Sequence, residues 1–248
     1  MTTREYMLFK QPVLRVNNRQ DNIDFYETVL GMKRLREENA LTIFTAHDNQ
    51  HTYFTIEESP APRTKATTGP HKLYQMVIRL SSEDILGLLA RPIEVEAVFK
   101  GEHYAFVATS PEGARFLVHA EEDVTKLAPS AYPSLAPLDD FKGVSDFSVE
   151  SLTLAVRDTA RAKAFYSQLF GDEFPLKIDF ITAQGEDLEA SPDKTWDLEI
   201  LEFHVSEGYD LAALAKSLKN LQLEVYLDAK ARLLVVSDTS NIEVWISK

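Results

Sequence analysis

The sequence contains no cysteine, and this absence excludes several kinds of chemistry. Without a thiol, the 248-residue chain has no disulfide, no thiolate nucleophile and no thiolate-bound metal. Any metal would need histidine, carboxylate or glutamine ligands. Long apolar runs are also missing, since stretches such as 85–90 and 233–236 are far shorter than the roughly 20 residues of a membrane-spanning helix. We therefore expect no membrane span.

Basic residues are scarce as well. The chain has 26 lysines and arginines against 39 acidic residues, a net charge of −13. Because a nucleic-acid-binding surface must neutralise phosphates, we expect no nucleic acid partner. Residues 1–6, MTTREY, carry an acid and lack the apolar core of a signal peptide. The sequence by itself therefore predicts a cytoplasmic protein.

A repeated strand and helix pattern is the clearest feature that is present. Residues 14–17 and 25–31, LRVN and FYETVLG, align without a gap on residues 154–157 and 165–171, LAVR and FYSQLFG, at an offset of 140. Each copy is typical of a strand, a polar turn and an amphipathic helix that ends at glycine. A weaker pair, residues 77–81 and 202–206, shows a second strand and helix at an offset of 125.

Three alternating runs follow each helix of the weaker repeat, as expected of strands. They are residues 93–99, 103–109 and 115–119, then 223–227, 232–237 and 242–246. This order predicts an α+β fold of duplicated βαβββ modules, with two module pairs forming half-barrel cups. We predict an N-terminal pair over 1–126, a proline-rich linker over 127–147 and a C-terminal pair over 148–248.

Residues 16–33 and 156–171 resemble the V-x-D…FY…LG signature of the glyoxalase/bleomycin-resistance/dioxygenase superfamily, whose fold is called vicinal oxygen chelate. The two-half layout, the length, the linker and the lack of cysteine are similar to the CppA family, known as streptococcal complement C3-degrading proteinases. That resemblance implies hydrolase activity, a role in virulence, complement C3 as partner and action outside the cell or at its surface.

The superfamily resemblance also implies a metal position. Its members hold a divalent ion in the cup with His or Gln near the start of a module's first strand and Glu in its last strand. Because strand residues alternate between faces, and Leu14 and Val16 face the helix, Arg15 faces the cup. The matching first-strand positions are Gln11, Gln75, Ser151 and Ile200, and the matching carboxylates are Glu57 and Glu243.

The same alternation gives the candidate cup residues. In the N-terminal half they are Gln11, Arg15, Tyr53, Glu57, Gln75, Arg79 and His119, and in the C-terminal half Ser151, Glu202, His204, Glu243 and Trp245. Glutamine is a weak ligand without carboxylate or imidazole neighbours, so we expect no cofactor and no tightly bound metal. The sequence leaves a divalent-ion site open only at the weak candidate ligands Glu57, His204 and Glu243.

No protease motif accompanies the resemblance to a proteinase family. The patterns His-Glu-x-x-His and Gly-x-Ser-x-Gly are absent, and residues 238–240, DTS, are typical of a turn. The histidines are scattered, but a Ser–His–acid triad depends on geometry and not on sequence order, so the sequence leaves it open. The catalytic residues, if any, are unknown at this point.

Four functions therefore stay open. The first is the C3-degrading proteinase that the resemblance implies. The second is a metal-free protein that binds a small molecule or peptide in a cup. The third is a divalent-metal-dependent lyase or dioxygenase, and the fourth is a non-enzymatic interaction protein with an acidic surface. The oligomeric state is open too, a homodimer included.

Overall fold

A computed structural model describes residues 7–60, 63–171 and 174–248. Residues 1–6, from which the absence of a leader was predicted, lie outside this part. The first half of the chain contains module 1, made of β1 Met7–Val16, α1 Arg19–Thr28, β2 Lys33–Glu38, β3 Leu41–Thr45 and β4 Phe54–Glu58. Strand β5 Lys65–Ala66 then leads to module 2, made of β6 Leu73–Arg79, α2 Ser82–Leu89, β7 Ala97–Lys100, β8 Tyr104–Thr109 and β9 Arg115–His119.

The second half repeats the pattern with one reduced module. A 3-10 turn Val124–Lys126 and β10 Ala128–Ser130 precede module 3, made of β11 Ser148–Val156, α3 Thr159–Phe170 and β12 Lys177–Thr182. Strand β13 Thr195–Trp196 precedes module 4, made of β14 Leu198–Val205, α4 Leu211–Asn220, β15 Val225–Leu227, β16 Leu233–Ser237 and β17 Glu243–Ser247. The strands predicted after α2 and α4 are confirmed.

A residue with a short polar side chain precedes each of the helices α1 to α4. The side chains of Asn18, Ser81, Asp158 and Asp210 accept hydrogen bonds from first-turn backbone N–H groups of α1, α2, α3 and α4. These are donors that a helix cannot satisfy internally. In the described part of the chain no helix is long and apolar enough to cross a membrane.

Two large sheets contain most of the strands. Sheet 1 has the order β15-β16-β17-β14-β1-β4-β3-β2, and sheet 2 has the order β10-β7-β8-β9-β6-β11-β12. Strands β1 and β14 are antiparallel neighbours, as are β6 and β11. Each sheet therefore combines one module from each half of the chain, namely modules 1 and 4 in sheet 1 and modules 2 and 3 in sheet 2.

This topology corrects the sequence-based grouping of the cup residues by halves. Strand alternation determines which face a side chain takes, but it contains no information about which strand lies next. Strands β1 and β6 each need an antiparallel neighbour, and apolar patterning alone does not distinguish β11 from β14. The candidate residues therefore have to be regrouped by sheet.

Each junction between modules contains the same two irregularities. The register between β1 and β14 shifts at Lys10 and at Glu199, and the register between β11 and β6 shifts at Glu150 and at Tyr74. Lys10 and Glu150 are 140 positions apart, and Tyr74 and Glu199 are 125 apart, the same offsets as in the sequence repeat. A bulge inserts one residue and redirects its side chain. The duplication therefore extends to the backbone irregularities that shape each sheet.

The two sheets share one apolar core. The ring centroids of Phe25 on α1 and Phe116 on β9 are 5.9 Å apart, and those of Phe170 on α3 and Phe203 on β14 are 4.7 Å apart. Helices α1 and α3 thus contact both sheets, and the faces of the sheets opposite the helices are left for the cups.

The segment 127–147 runs along modules 1 and 2. Its strand β10 pairs with β7, and the ring of Phe141 fills the notch above Gly87 of α2, where a Cβ atom would lie 2.6 Å from the ring. The guanidinium of Arg91 lies 4.6 Å from the centre of the Phe141 ring. Asp84 of α2 accepts hydrogen bonds from the backbone N–H and the hydroxyl of Ser145. This segment is therefore docked by specific contacts with α2.

Candidate functional site

Sheet 1 collects eight of the twelve candidate residues on one face. We call the face opposite α1 and α4 cup 1, and the corresponding face of sheet 2 cup 2. Strand pairing and burial place in cup 1 the residues Gln11, Arg15, Tyr53, Glu57, Glu202, His204, Glu243 and Trp245. Cup 2 receives Gln75, Arg79, His119 and Ser151. Cup 1 thus combines candidate cup residues from both halves of the chain.

A buried arginine lies at the floor of cup 1. Arg15 is only 9% exposed. Its Nη2 atom is 2.5 Å from Oε1 of Glu199, and its Nη1 atom is 3.5 Å from Oε1 of Glu57. The Nε atom of Arg15 and the Oε2 atom of Glu199 are buried and have no hydrogen-bond partner among the described residues. The floor therefore contains one guanidinium whose two carboxylate partners come from different modules.

Glu199 is the residue of this site that sequence reasoning missed. Alternation on β14 places Ile200 and Glu202 in the cup and Glu199 on the opposite face, but the bulge redirects its side chain towards Arg15. Burial raises the pKa of Glu199 from 4.5 to about 7, with Arg15 lowering it and Glu57 and Glu243 raising it further. Glu199 therefore changes protonation near neutral pH. No local sequence signal marks a bulge at this position.

Polar side chains fill the middle of cup 1 with mutual hydrogen bonds. The hydroxyl of Thr55 donates to Oε1 of Gln11 at 2.8 Å, and Nε2 of Gln11 donates to Oε2 of Glu202 at 2.6 Å. The ammonium of Lys10 lies 2.8 Å from the other oxygen of Glu202. Gln11 and Glu202 therefore already have protein partners and stabilise one another.

Aromatic side chains flank this polar centre in one row across the sheet. Val235 pairs with Tyr226 on one side and with Trp245 on the other, and Trp245 pairs with Glu202. Tyr226 is 60% exposed, and the indole N–H of Trp245 donates to Oε2 of Glu243 at 2.7 Å. On the far side, Tyr53 lies at the level of Gln11, two residues before Thr55. The row therefore has aromatic rings on both sides of the polar centre.

A cavity of about 280 Å³ opens on the module 1 side of this row. Its wall contains the apolar or aromatic side chains of Leu35, Ile43 and Tyr53. Its polar groups are those of Lys10, Gln11 and Arg36. An apolar wall with a few polar groups is typical of sites that bind small organic molecules.

In cup 2 the charged side chains pair with one another. Arg79 lies 3.1 Å from Glu150 and also pairs with Glu122. His119 is fully buried, with Nε2 3.0 Å from Oε2 of Glu150, yet neither ring nitrogen has a well-directed hydrogen bond. Burial lowers the pKa of His119, and Glu150 acts in the opposite direction. Glu150, like Glu199, is a bulge residue, and regular alternation from its neighbour Ser151 would put its side chain on the opposite face.

The strand register tests whether either cup fits a divalent metal. Pairing places Glu243 beside Ile200, whereas Glu57 lies beside Arg15, two pleats beyond the level of Gln11. The ligand positions are therefore Gln11, Tyr53, Ile200 and Glu243 in cup 1, and Gln75, Arg115, Ser151 and Lys177 in cup 2. The positions in cup 1 thus supply one carboxylate and no imidazole, and those in cup 2 include two cations. Neither set makes a divalent-metal site.

The weak metal candidates are not brought together either. His204 pairs with Ser247 on β17, two pleats from Glu243, and Glu57 lies across the sheet beside Arg15. Among the described residues no group of three or more His, Asp or Glu side chains is arranged to hold a metal ion. The residues of the chain therefore do not fit the ion that the superfamily resemblance implies.

The geometry also bears on the protease types left open by the sequence. His71 lies 3.8 Å from Asp197, too far for a hydrogen bond, and the Asp197 carboxylate accepts from the backbone N–H groups of Lys72, Leu73 and Leu198. Asp238 accepts from the backbone of Ser240 and Ile242, as in a turn. Neither arrangement is that of a catalytic triad or an aspartic dyad.

Comparisons with known proteins agree with this architecture. The chain matches the family profiles CppA N-terminal over residues 9–129 and CppA C-terminal over residues 144–246. It is similar to the cppA protein from Streptococcus pneumoniae, with 29% identity, a TM-score of 0.83 and 98% of each chain covered. No curated protein sequence matches the chain.

More distant structures share the fold alone. A Bacillus subtilis protein with a dioxygenase name has 11% identity and a TM-score of 0.63, over 98% of this chain and 85% of that one. Glyoxalase I from Zea mays has 12% identity and a TM-score of 0.58, over 98% of this chain and 92% of that one. The predicted α+β fold of the glyoxalase type is confirmed.

Proposed function

The chain belongs to the CppA family, and we propose that it is a metal-independent binding protein whose cup 1 takes an organic ligand, a small molecule or a peptide. The observation that carries the proposal is the cavity of about 280 Å³ beside the aromatic row. Its size approaches the lower end of the range for small-molecule sites, roughly 300 Å³.

The donor set of cup 1 supports binding without a metal. At the four positions where the superfamily would hold a divalent ion, cup 1 has Gln11, Tyr53, Ile200 and Glu243, and its positive charges are those of Arg15 and Lys10. An arginine is permanently charged and carries several fixed N–H donors, so it orients polar ligands without a metal's Lewis acidity.

Ligand-observed NMR of a fragment collection, recorded in the presence of a chelator, tests the proposal. Fragments that bind wild type should lose their binding signal in Tyr53→Ala, which removes the aromatic wall of the cavity. Tyr74→Ala is the matched control, because Tyr74 is a 48% exposed tyrosine on sheet 2. Binding in this control should equal that of wild type.

Two results would overturn the proposal. One is the absence of any fragment whose signal depends on Tyr53. The other is binding that appears only after a divalent metal is added, which would restore the lyase or dioxygenase hypothesis. Circular dichroism of both variants verifies that they are folded.

Cleavage of complement C3, which the family resemblance implies, is a second candidate. One observation favours it: Glu199 has a pKa of about 7 and is flanked by Glu57 and Glu243. A carboxyl group that titrates near the working pH is suited to general acid–base catalysis, which contributes typically about 10²–10⁴-fold to a rate. C3 would then be the partner of the same cup.

Incubation of purified protein with intact C3 tests this candidate. Wild type should cleave C3, and Glu199→Gln should slow cleavage by about 10²-fold or more because the variant cannot transfer that proton. Glu207→Gln, at an exposed position, should cleave like wild type. Absence of cleavage by wild type, or equal cleavage by Glu199→Gln, would count against proteolysis at this site.

A further inference from the structure

The charges of cup 1 favour a cationic guest. Four carboxylates, Glu57, Glu199, Glu202 and Glu243, share the floor with two cations, Arg15 and Lys10. At the rim, Arg36 and Glu38 lie 3.9 Å apart and offset one another. The cup therefore has more negative than positive charge, and a guest of positive charge complements it.

Trp245 and Glu243 supply a specific place for a basic side chain. The indole N–H donates to one oxygen of Glu243, which leaves Oε1 of that carboxylate without a hydrogen bond to the described residues. An indole face attracts lysine or arginine cations, and a carboxylate at its edge adds a counter-ion. Near this pair, Glu199, a residue only 8% exposed, has a buried oxygen, Oε2, without a hydrogen-bond partner among the described residues, and its ionised form adds negative potential to the cation site.

The cavity bounded by Tyr53, Ile43 and Leu35 supplies a second anchor, for an apolar group. Trp245 on β17 and Tyr53, the residue just before β4, lie in the same row, with β14 and β1 between them. Three strand spacings amount to about 14 Å. An extended peptide covers that distance in about four residues.

We propose that cup 1 recognises an extended peptide in which a lysine or arginine stacks on Trp245 and pairs with Glu243, while an apolar side chain four positions away fills the cavity beside Tyr53. This inference rests on the proposed binding function and adds the class of ligand. The two anchors and the spacing between them distinguish a peptide from a small organic cation, which can reach only the Trp245 anchor.

Isothermal titration calorimetry in the presence of a chelator tests the proposal with acetylated and amidated peptides. The probe is Arg-Ala-Ala-Ala-Leu. The controls are Glu-Ala-Ala-Ala-Leu, which reverses the charge, Arg-Leu-Ala-Ala-Ala, which shortens the spacing, and N-acetylarginine amide, which lacks the second anchor. We expect the probe to bind at least tenfold more tightly than each control.

Variants link the binding to the two anchors. Glu243→Gln should weaken the probe about tenfold and should not weaken the glutamate peptide, because it removes a repulsion from that peptide. Tyr53→Ala should weaken the probe but not N-acetylarginine amide. Glu122→Gln removes an exposed carboxylate on the sheet 2 side and serves as the control, with binding equal to wild type.

The outcomes separate this inference from the function on which it rests. Equal affinity for the arginine and glutamate peptides, or for N-acetylarginine amide and the probe, overturns the inference. So does the absence of binding by any peptide. In each case fragments that depend on Tyr53 in the NMR experiment still support the binding function, and only their absence removes that function as well.

Discussion

The Arg15–Glu199 pair sets the electrostatics of cup 1 at the scale of single residues. Both residues are less than 10% exposed, and each has a buried polar atom without a hydrogen-bond partner among the described residues. Removing a carboxylate from water disfavours its charged form, and Glu57 and Glu243 add repulsion, so the attraction of Arg15 only partly offsets the cost. Glu199 therefore lowers stability at neutral pH relative to acidic pH.

The direction of this pH dependence follows from the two pKa values. Glu199 has a pKa of about 7 in the folded protein against 4.5 ordinarily. Between these values the folded state holds more protons than the unfolded state, so its contribution to stability falls as pH rises through this window and is constant above about pH 7. The full change amounts to about 3 kcal/mol.

Substitution of Glu199 by Gln removes this ionisation. Compared with Glu199→Gln, wild type should lose about 3 kcal/mol of unfolding free energy between pH 4.5 and pH 7.5. Urea unfolding at the two pH values measures the difference. Glu207→Gln should follow wild type, because its carboxylate is exposed. Parallel pH profiles for wild type and Glu199→Gln would contradict the assignment.

Alternation along strands predicted the face on which eight candidate residues lie, among them Arg15 and Trp245, because face selection depends only on local periodicity. It failed at Glu199 and Glu150 for a common reason. Both are bulge residues, where one inserted position reverses the alternation, and a bulge arises from the pairing of two strands distant in sequence.

At the scale of elements, the repeat predicted the helices and most strands, whereas module 3 departs from the pattern. Its helix α3 is followed in sheet 2 by β12, and β13 pairs with β5 outside the large sheets. The segment 127–147 was predicted as a linker from its prolines, and its strand β10 and its contacts with α2 arise from tertiary packing that prolines do not reveal.

Packing of this segment on α2 gives a prediction at the same scale. Gly87→Ala adds a Cβ atom 2.6 Å from the Phe141 ring and should displace the segment, at a cost of about 1–3 kcal/mol. Limited proteolysis should then cut residues 131–142 faster than in wild type. Phe141→Ala removes the ring that overlaps the new Cβ atom. It should therefore cost less stability when added to Gly87→Ala than when added to wild type. Additive effects would show that the two residues do not contact each other.

At the scale of the whole molecule, each sheet joins modules from both halves, and cup 1 exists only because module 4 returns to module 1. The sequence could not predict this pairing, since the two alternatives bury equivalent apolar faces. The cysteine-free chain allows a clean test, because any introduced pair of thiols is the only one present.

Engineered disulfides should report the pairing directly. Val13 and Ile200 lie opposite each other on β1 and β14, where a Cα separation of about 4.5–5.5 Å permits a disulfide. Val13→Cys/Ile200→Cys should therefore oxidise fully under native conditions. In Val13→Cys/Gln75→Cys, which would form a bridge only if modules 1 and 2 shared a sheet, both thiols should stay free. Oxidation of the second pair instead of the first would contradict the topology.

The claim that cup 1 binds an organic ligand without a metal is tested most directly by the two indole N–H signals in the NMR spectrum of chelator-treated wild type. Trp245 lies in cup 1, whereas the Trp196 indole donates to the backbone of Ser59 outside it. Titration with Arg-Ala-Ala-Ala-Leu, whose arginine is expected to stack on Trp245, should shift the Trp245 signal saturably and leave the Trp196 signal in place. A Trp245 signal that does not move, or that moves only after a divalent metal is added, would contradict the account.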